Sequence, residues 1–217
     1  MGLAPLPRPR APGAMMRAMP HDHDHDHAHD HHHAHDGDES LRDAYAAAVA
    51  AYRADKDEAF RHDPQSPLAP GDREGFEGLR YFPADPAMVI DGLELLPYEG
   101  DAPELFDMQT TTGVIRPAMR AGVLRFELSG TPCELVAYDF VGVPSETLFL
   151  PFLDATSGAD TYGAGRYLDV APEPDGTWTL DFNLAYHPLC AYDARWSCPL
   201  TPAENRLPIR VEAGERL

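Results

Sequence analysis

The sequence has few cysteines, a single lysine and no long apolar run, and each shortage excludes a class of protein. Three cysteines in 217 residues are too few for a scaffold held together by disulfides. No segment approaches the roughly 18 apolar residues that a membrane span requires, which excludes an integral membrane protein. Lys56 is the only lysine, the GxxxxGK[ST] phosphate loop is absent, and the dinucleotide fingerprint is absent as well.

Positive charge is also scarce, because 17 bases stand against 36 acids and the formal net charge is -19. A protein that binds the phosphate backbone of DNA or RNA needs clustered Lys and Arg, so this balance argues against a nucleic-acid partner. The chain does contain 43% hydrophobic and 9% aromatic residues. That content is enough for the core of one domain of ordinary size.

The first 39 residues differ in composition from the rest of the chain. Residues 1–20 contain prolines and arginines but no acid, and the prolines interrupt every apolar run that a secretory signal would need. We therefore predict no export and a cytoplasmic protein. Residues 1–39 are predicted to form a disordered tail, and residues 40–217 a single domain, large enough to bury about 70% of its unfolded surface.

The second half of the tail, residues 21–36, alternates histidine with aspartate and holds nine of the 11 histidines. Nothing in it can bury apolar surface, so we expect disorder. Imidazole and carboxylate groups suit zinc, nickel and copper, which a flexible run would bind loosely and without fixed geometry. Three interpretations stay open: a low-complexity extension with incidental metal affinity, a metal-sequestering arm, and a pH-sensitive tether. The predicted metal ligands are His21, His23, His25, His27, His29, His31, His32, His33 and His35.

One helix is predicted at the start of the domain. Ser40 followed by Asp43 resembles a capping box and would begin the helix. Asp63 would end it, because a residue that precedes proline is pushed out of the helical region. Between these ends, apolar residues recur at three- and four-residue steps with one gap and form one stripe that would pack on the core: Leu41, Tyr45, Val49, Tyr52 and Phe60.

After Pro64 the pattern predicts short strands separated by turn residues. No second helical pattern of roughly 10 or more residues lies between them, so antiparallel pairing is expected. The clearest alternation places Trp178, Leu180 and Phe182 on one face of a strand. We predict a mainly β fold, an antiparallel sandwich or open barrel with one N-terminal amphipathic helix. The predicted strands are 87–95, 106–111, 124–128, 134–140, 147–153, 166–170, 177–183 and 207–211.

Residues 154–206 are rich in polar and aromatic side chains with little regular pattern, which is typical of functional loops. Arginine offers a planar fork for carboxylate or phosphate, asparagine adds an amide, and tyrosine supplies amphipathic walls. We therefore predict a pocket for an unknown small polar or anionic molecule, non-enzymatic by default. In the alternative interpretation, buried Arg–Asp pairs only stitch these loops to the sheet. The predicted binding residues are Arg166, Tyr167, Asn183, Tyr186, Arg195, Asn205 and Arg206.

A carboxylate-dependent hydrolase or lyase on the same loops is the rival function. Two carboxylates can divide the acid and base roles when their surroundings push their pKa values apart. Asp154, Asp169 and Asp181 are the candidates for these roles. Asp154 ends a predicted strand, and Asp181 shares a polar strand face with Asn183.

Ser157 and two cysteines have further interpretations that involve His187. Ser157 or Cys190 as a nucleophile would need a base, and His187 is the only histidine near in sequence. His187, Cys190 and Cys198 could instead hold a metal ion, although a fourth ligand is missing. The two cysteines could also form a disulfide, but reduced thiols are expected in a protein that is not exported.

Five segments of the domain carry a family pattern: SPL at 66–68, FEGLRYF at 76–82, DATSGADTYGAGRYLD at 154–169, DFNLAYHPLCAY at 181–192 and CPLTPAENRLP at 198–208. Together they resemble the bacterial and archaeal family called domain of unknown function 1684. The resemblance spans roughly residues 44–217 and implies a domain of this length to which no activity is assigned. Where the family pattern has Asn-Pro-Pro-Cys, this chain has His187, Pro188, Leu189 and Cys190. A family role that needs an amide at position 187 therefore does not carry over.

Overall fold

The computed structural model describes residues 33–217, with side chains from Glu39 onward. The Pro/Arg-rich segment and the histidine tract up to His32 lie outside the described residues, as do the side chains of His33 and His35. The predicted disorder of residues 1–32 and the predicted metal ligands therefore remain predictions.

Helix α1 extends from His33 to His62. It begins seven residues before Ser40, so the predicted N-cap is wrong, and residues 33–39, which we assigned to the tail, are helical. A serine and a carboxylate three residues apart lie on one exposed face inside a helix as readily as at its start. The predicted end is confirmed, because the Asp63 N–H closes the last turn on the Ala59 carbonyl at 3.0 Å.

Ten short strands follow the helix and pair only in antiparallel ladders, so the mainly β prediction is confirmed. Their bounds are β1 Arg80–Tyr81, β2 Val89–Leu93, β3 Leu95–Leu96, β4 Leu105–Gln109, β5 Ile115–Leu128, β6 Thr131–Phe140, β7 Leu148–Phe152, β8 Arg166–Val170, β9 Trp178–Asp181 and β10 Glu215–Arg216. The central sheet has the order β3-β5-β6-β7-β8, with β4 also paired to β5. Strands β1 and β10 form one small ladder, and β2 and β9 form another. No helix within residues 33–217 is both long and apolar enough to cross a membrane.

Strand β5 is longer than predicted, since only its last five residues, 124–128, carried a strand pattern. Its first part pairs with β4, and its second part pairs with β3 at Leu124 and Val123. The first part of β5 carried no strand pattern because it contains Pro117 and Gly122, and both residue types are depleted in strands. The register with β6 shifts between Arg120 and Gly122, and this bulge lies where the partner on the opposite edge of β5 changes from β4 to β3.

The predicted strand at 207–211 is wrong. This segment runs beside the end of β7, where the Leu207 N–H donates to the Leu153 carbonyl at 2.8 Å and the Leu153 N–H donates to the Asn205 carbonyl at 2.9 Å. Pro208 has no N–H to continue a ladder, so the contact stays an isolated bridge.

Apolar clusters cover both faces of the central sheet. Because successive side chains of a strand alternate, Leu124 joins one cluster and Val123 the other. The larger cluster includes Leu180 and Phe182, both fully buried, with Trp178 packed against it. The alternation holds within β9, but that strand ends at Asp181 and Phe182 begins a 3₁₀ turn, so the predicted strand 177–183 is too long. Helix α1 buries Tyr45, Val49 and Phe60 of its stripe, and Leu41 and Tyr52 are half-buried.

Candidate functional site

Arg166, a predicted binding residue, is fully buried at the start of β8. Its Nη2 donates to the Val211 carbonyl at 2.7 Å and lies 3.4 Å from Asp154 Oδ2, while its Nη1 donates to the carbonyls of Ala213 and Glu215. The Asp154 carboxylate also accepts the Val211 N–H at 2.7 Å. These contacts fasten the C-terminal segment to the sheet, as the stitching alternative describes.

Asp181 and Asn183 fasten helix α1 to the end of β9. The Tyr45 hydroxyl donates to Asp181 at 2.8 Å, and Asn183 Nδ2 donates to the Tyr45 hydroxyl at 2.9 Å and to the Asp85 carbonyl at 2.8 Å. Burial raises the pKa of Asp181, and its hydrogen bonds only partly offset that rise. Both side chains are less than a tenth exposed, and their partners lie within the chain.

The Asn205 side chain forms hydrogen bonds between β6 and β7 where the two strands do not pair with each other. Its Nδ2 donates to the carbonyls of Val136 and Pro151, both at 2.8 Å, and its Oδ1 accepts the Val136 N–H at 2.9 Å. Pro151 cannot donate to the ladder, so the buried amide completes the hydrogen bonding that two paired strands would otherwise supply.

Asp169, Tyr167 and Tyr186 lie on the opposite face of the sheet from Arg166, since strand residues alternate. The Tyr186 hydroxyl donates to Asp169 at 2.6 Å, and the main chains of Tyr167 and Tyr186 exchange two hydrogen bonds. The three candidate carboxylates, on Asp154, Asp169 and Asp181, therefore have three different sets of partners. No two of them share one site in the described contacts.

Arg195 and Arg206, the remaining predicted binding residues, are exposed. Arg195 donates to the Leu68 carbonyl at 3.2 Å and lies 3.3 Å from Asp193. The main chain of Arg206 forms an isolated β-bridge with Leu153. In the described contacts the predicted binding residues therefore do not share partners at one site, because the buried ones serve different internal contacts and these two meet separate segments.

A pocket of about 290 Å³ lies elsewhere, where residues 187–192 meet the segment 68–80 and the C-terminal strand β10. Its floor includes His187, which is 3% exposed. Much of its wall is apolar or aromatic, and this part consists of Leu68, Phe76, Leu79, Ala191, Tyr192 and Leu217.

Two arginines line this pocket. Arg80 of β1 and Arg216 of β10 are direct partners in the antiparallel ladder, so their side chains leave the same face of the strand pair. Both are exposed, and neither makes an ion pair with a residue that the structure describes. The guanidinium of Arg216 lies 5.9 Å from the Phe82 ring centroid.

A buried charge network lies behind the pocket wall. The Glu215 carboxylate, 1% exposed, lies 2.6 Å from Lys56 Nζ. It also accepts hydrogen bonds from the Tyr192 hydroxyl and from the main-chain N–H of His187, each at 2.6 Å. Burial acts to raise the pKa of Glu215, but Lys56 and the other neighbours outweigh it and hold that pKa below its ordinary value. The carboxylate is therefore charged at neutral pH, and it fixes the two pocket residues His187 and Tyr192.

His187 is neutral at neutral pH. Burial lowers its pKa from 6.5 to about 4, and the nearby Glu215 carboxylate offsets only part of that effect. Its Nε2 accepts the Tyr162 N–H at 3.2 Å, so the lone pair of this nitrogen is in use. The Ser157 hydroxyl donates to Asp154 at 3.1 Å rather than to His187, so the predicted nucleophile–base pair with Ser157 is not formed.

The proposed metal site on His187, Cys190 and Cys198 is wrong. Within the part of the chain that the structure describes, no group of three or more His, Cys, Asp or Glu side chains is arranged to hold a metal ion. Cys190 instead donates its N–H to Cys198 Sγ at 3.2 Å. All three cysteines are free thiols.

Sequence reasoning missed the two arginines of the pocket and the Lys56–Glu215 pair behind it, because it searched for a site only within 154–206. A signal was present in FEGLRYF, the family segment at 76–82, which contains Arg80 and part of the apolar wall. The pairing of Arg80 with Arg216 joins residues 136 positions apart, and nothing in the local pattern predicts such a contact.

Comparison with known proteins places the chain in one family. Residues 74–216 match the family described as "Protein of unknown function (DUF1684)". Five chains among the solved structures match as well. One is the solution NMR structure of an uncharacterised protein of Haloarcula marismortui, which is 38% identical, with a TM-score of 0.62, over 83% of this chain and 97% of that one. No curated protein matches.

Proposed function

The chain belongs to DUF1684, a family of unknown function, and we propose that the domain of this member binds a small anion with an apolar body in the pocket lined by Arg80 and Arg216. The proposal keeps the ligand class predicted from the sequence and moves the site. Only residues 187–192 of the predicted loops take part, together with the segment 68–80 and strand β10.

The pair of arginines is the observation that carries this proposal. Arg80 and Arg216 leave the same face of one ladder, and both lack an ion-pair partner among the described residues. Guanidinium groups pair with carboxylate and phosphate through parallel hydrogen bonds. The chain carries a formal net charge of -19, which repels an anion at long range. The two neighbouring guanidinium groups would offset this repulsion locally and hold the anion in the pocket.

The size and lining of the pocket limit the body of the ligand. An apolar cavity of about 150 Å³ holds benzene, so the 290 Å³ available here suits a substituted ring or a short branched chain. Phe76 and Tyr192 offer aromatic surfaces for such a group. The ligand that fits is therefore amphipathic, with its charge at the arginines and its apolar part against the wall.

Binding fits this pocket better than catalysis does. His187 Nε2 already accepts a hydrogen bond from the Tyr162 N–H, and the Tyr192 hydroxyl donates its hydrogen bond to Glu215. A general acid or base must be free to exchange a proton with the substrate. The other ionisable side chains of the lining are Arg80 and Arg216, which stay protonated and act by charge.

Calorimetric titration of the full chain with phenyl phosphate tests the proposal, with phenol as the neutral counterpart. We expect phenyl phosphate to bind and phenol to bind at least about tenfold more weakly, since phenol offers nothing to the guanidinium groups. Arg80→Gln and Arg216→Gln should each weaken phenyl phosphate about tenfold.

Arg125→Gln is the matched control, because Arg125 is an exposed arginine on β5 with its own partner, Glu134, 3.4 Å away. This variant should bind phenyl phosphate as the unchanged chain does. Ala191→Leu, which fills the pocket without altering charge, should weaken phenyl phosphate and phenol alike. Equal binding of phenyl phosphate by the two pocket arginine variants and the unchanged chain would falsify the proposal.

A further inference from the structure

Two of the three cysteines lie side by side beside the pocket. The Cys190 N–H donates to Cys198 Sγ at 3.2 Å. The Cys198 sulfur therefore lies against the main chain of Cys190, three bonds from the Cys190 sulfur. Cysteines that lie this close along two packed segments are candidates for a disulfide, which needs Cα atoms within about 7 Å of each other.

The two thiols differ in accessibility. Cys190 is half-buried, with its sulfur 3.9 Å from the Tyr162 hydroxyl, whereas Cys198 is only 5% exposed. Burial raises the pKa of Cys198 to about 12, so it is a protonated thiol at neutral pH. Redox-sensing cysteines are often accessible thiols that stand next to a second cysteine, and in such a pair the first is oxidised and the second resolves it.

We propose that Cys190 and Cys198 form a reversible redox pair that hydrogen peroxide converts into a disulfide. The Cys190 thiolate attacks one peroxide oxygen, the O–O bond breaks, and a sulfenic acid and hydroxide are formed. Cys198 then attacks the sulfenic sulfur, an S–S bond forms, and the departing hydroxide leaves as water with the Cys198 proton. The two sulfur atoms together lose two electrons to the peroxide. An added dithiol reduces the disulfide back to two thiols and is itself oxidised.

The disulfide would act on the pocket through the turn Leu189–Ala191. Cys190 lies in this turn, directly before the lining residues Ala191 and Tyr192. Because the Cys198 sulfur already contacts the main chain of Cys190, the bond would fix this turn against the segment that carries Cys198. The pair stands on its own geometry and holds whether or not the pocket binds an anion.

Treatment of the full chain with stoichiometric hydrogen peroxide, followed by intact-mass and peptide analysis, tests the pair. We expect a loss of two hydrogen masses, a peptide that links positions 190 and 198, and full reversal by dithiothreitol. The melting temperature of the oxidised chain should rise by roughly 5–10 °C, since the bond closes a short loop.

Cys133→Ser is the matched control, because Cys133 is a buried thiol of β6 in an apolar cluster. It should retain the mass loss and the thermal shift. Cys190→Ser should lose both, while its melting temperature under reducing conditions shows whether it is folded. Oxygen addition at Cys190 without a link, or a disulfide between two chains, would overturn the proposal. Phenyl phosphate binding by the reduced chain is a separate measurement, so the failure of either proposal is seen independently.

Discussion

Two regions of this domain use the same residue types and differ in whether the charged side chains find ion-pair partners within the chain. Around Arg166 the guanidinium meets one carboxylate and three carbonyls inside the protein, and the side chain is fully buried. Around Arg80 and Arg216 the guanidinium groups are exposed beside a pocket and have no ion-pair partner among the described residues. In the first arrangement both terminal guanidinium nitrogens are bonded within the chain and only the buried Nε lacks a hydrogen-bond partner. In the second arrangement the guanidinium groups have bonding capacity left for a ligand.

This difference shows why residue type alone is a weak guide to a binding site. Arginine, asparagine and tyrosine were sought as ligand contacts, yet Arg166, Asn183 and Asn205 spend their donors on carbonyls and side chains of the same protein. Burying such groups without partners would cost several kcal/mol. A buried arginine is therefore evidence of an internal contact, and an exposed pair on one strand face is the better candidate.

The largest effect is expected from Arg166→Met. The substitution leaves the Asp154 carboxylate and three carbonyls buried without their guanidinium. Removing one partner of a buried ion pair typically destabilises by about 3–5 kcal/mol. Urea denaturation followed by circular dichroism should show this loss in the free energy of unfolding.

The double variant Arg166→Met with Asp154→Asn separates charge from packing. It removes the stranded carboxylate, so it should be more stable than Arg166→Met alone. A double variant that is less stable than the single one would mean that Asp154 stabilises the fold mainly through Thr156 and the Val211 N–H, with which it is also bonded.

Lowering the pH should reveal the buried neutral His187. Its pKa is about 4 in the folded protein and 6.5 when unfolded, so the unfolded state binds the extra proton first. The stability that comes from the neutral imidazole is complete above pH 6.5 and is lost as the pH falls from 6.5 to 4. The integrated loss is about 3 kcal/mol.

His187→Gln isolates this contribution, because an amide can accept the Tyr162 N–H and does not titrate. Glu215, Arg166 and Lys56 also influence His187, and they remain in the variant. The difference in unfolding free energy between the two proteins should therefore shrink or reverse from pH 7 to pH 4. Parallel pH profiles would show that the imidazole is protonated in the folded state as easily as in the unfolded one.

Asn205→Ala should cost about 2 kcal/mol in the free energy of unfolding. The substitution leaves the Val136 N–H and the carbonyls of Val136 and Pro151 without hydrogen-bond partners between β6 and β7. Each buried group that is left unpaired costs about 1–3 kcal/mol before relaxation. The neighbouring exposed Arg206 supplies the control, since Arg206→Ala should stay within about 0.5 kcal/mol. Similar losses in the two variants would contradict the bridging role of the amide.

Local patterns predicted the elements well and the contacts between them poorly. The strand 166–170 follows from side-chain period alone and is confirmed. The alternation of Trp178 and Leu180 holds within β9, whereas Phe182 shares their cluster from the 3₁₀ turn that follows the strand. The first part of β5 was missed because its pairing with β4, not its composition, makes it a strand. The role of Asn205 depends on Pro151, 54 positions away, and no period in the sequence encodes that distance.

The smallest effect on the domain is expected from removing residues 21–36. Among the residues of α1 whose side chains the structure describes, the first buried one is Tyr45. The deletion takes away only residues 33–36 of the helix, so it should change the free energy of unfolding by less than about 0.5 kcal/mol. Metal binding should change completely, because we expect the nine histidines of the tract to bind zinc and nickel loosely. Calorimetric titration of both chains with each metal ion measures this. Equal heats from the two chains would eliminate the metal-sequestering arm, and a large loss of stability would mean that the histidine tract is part of the folded domain.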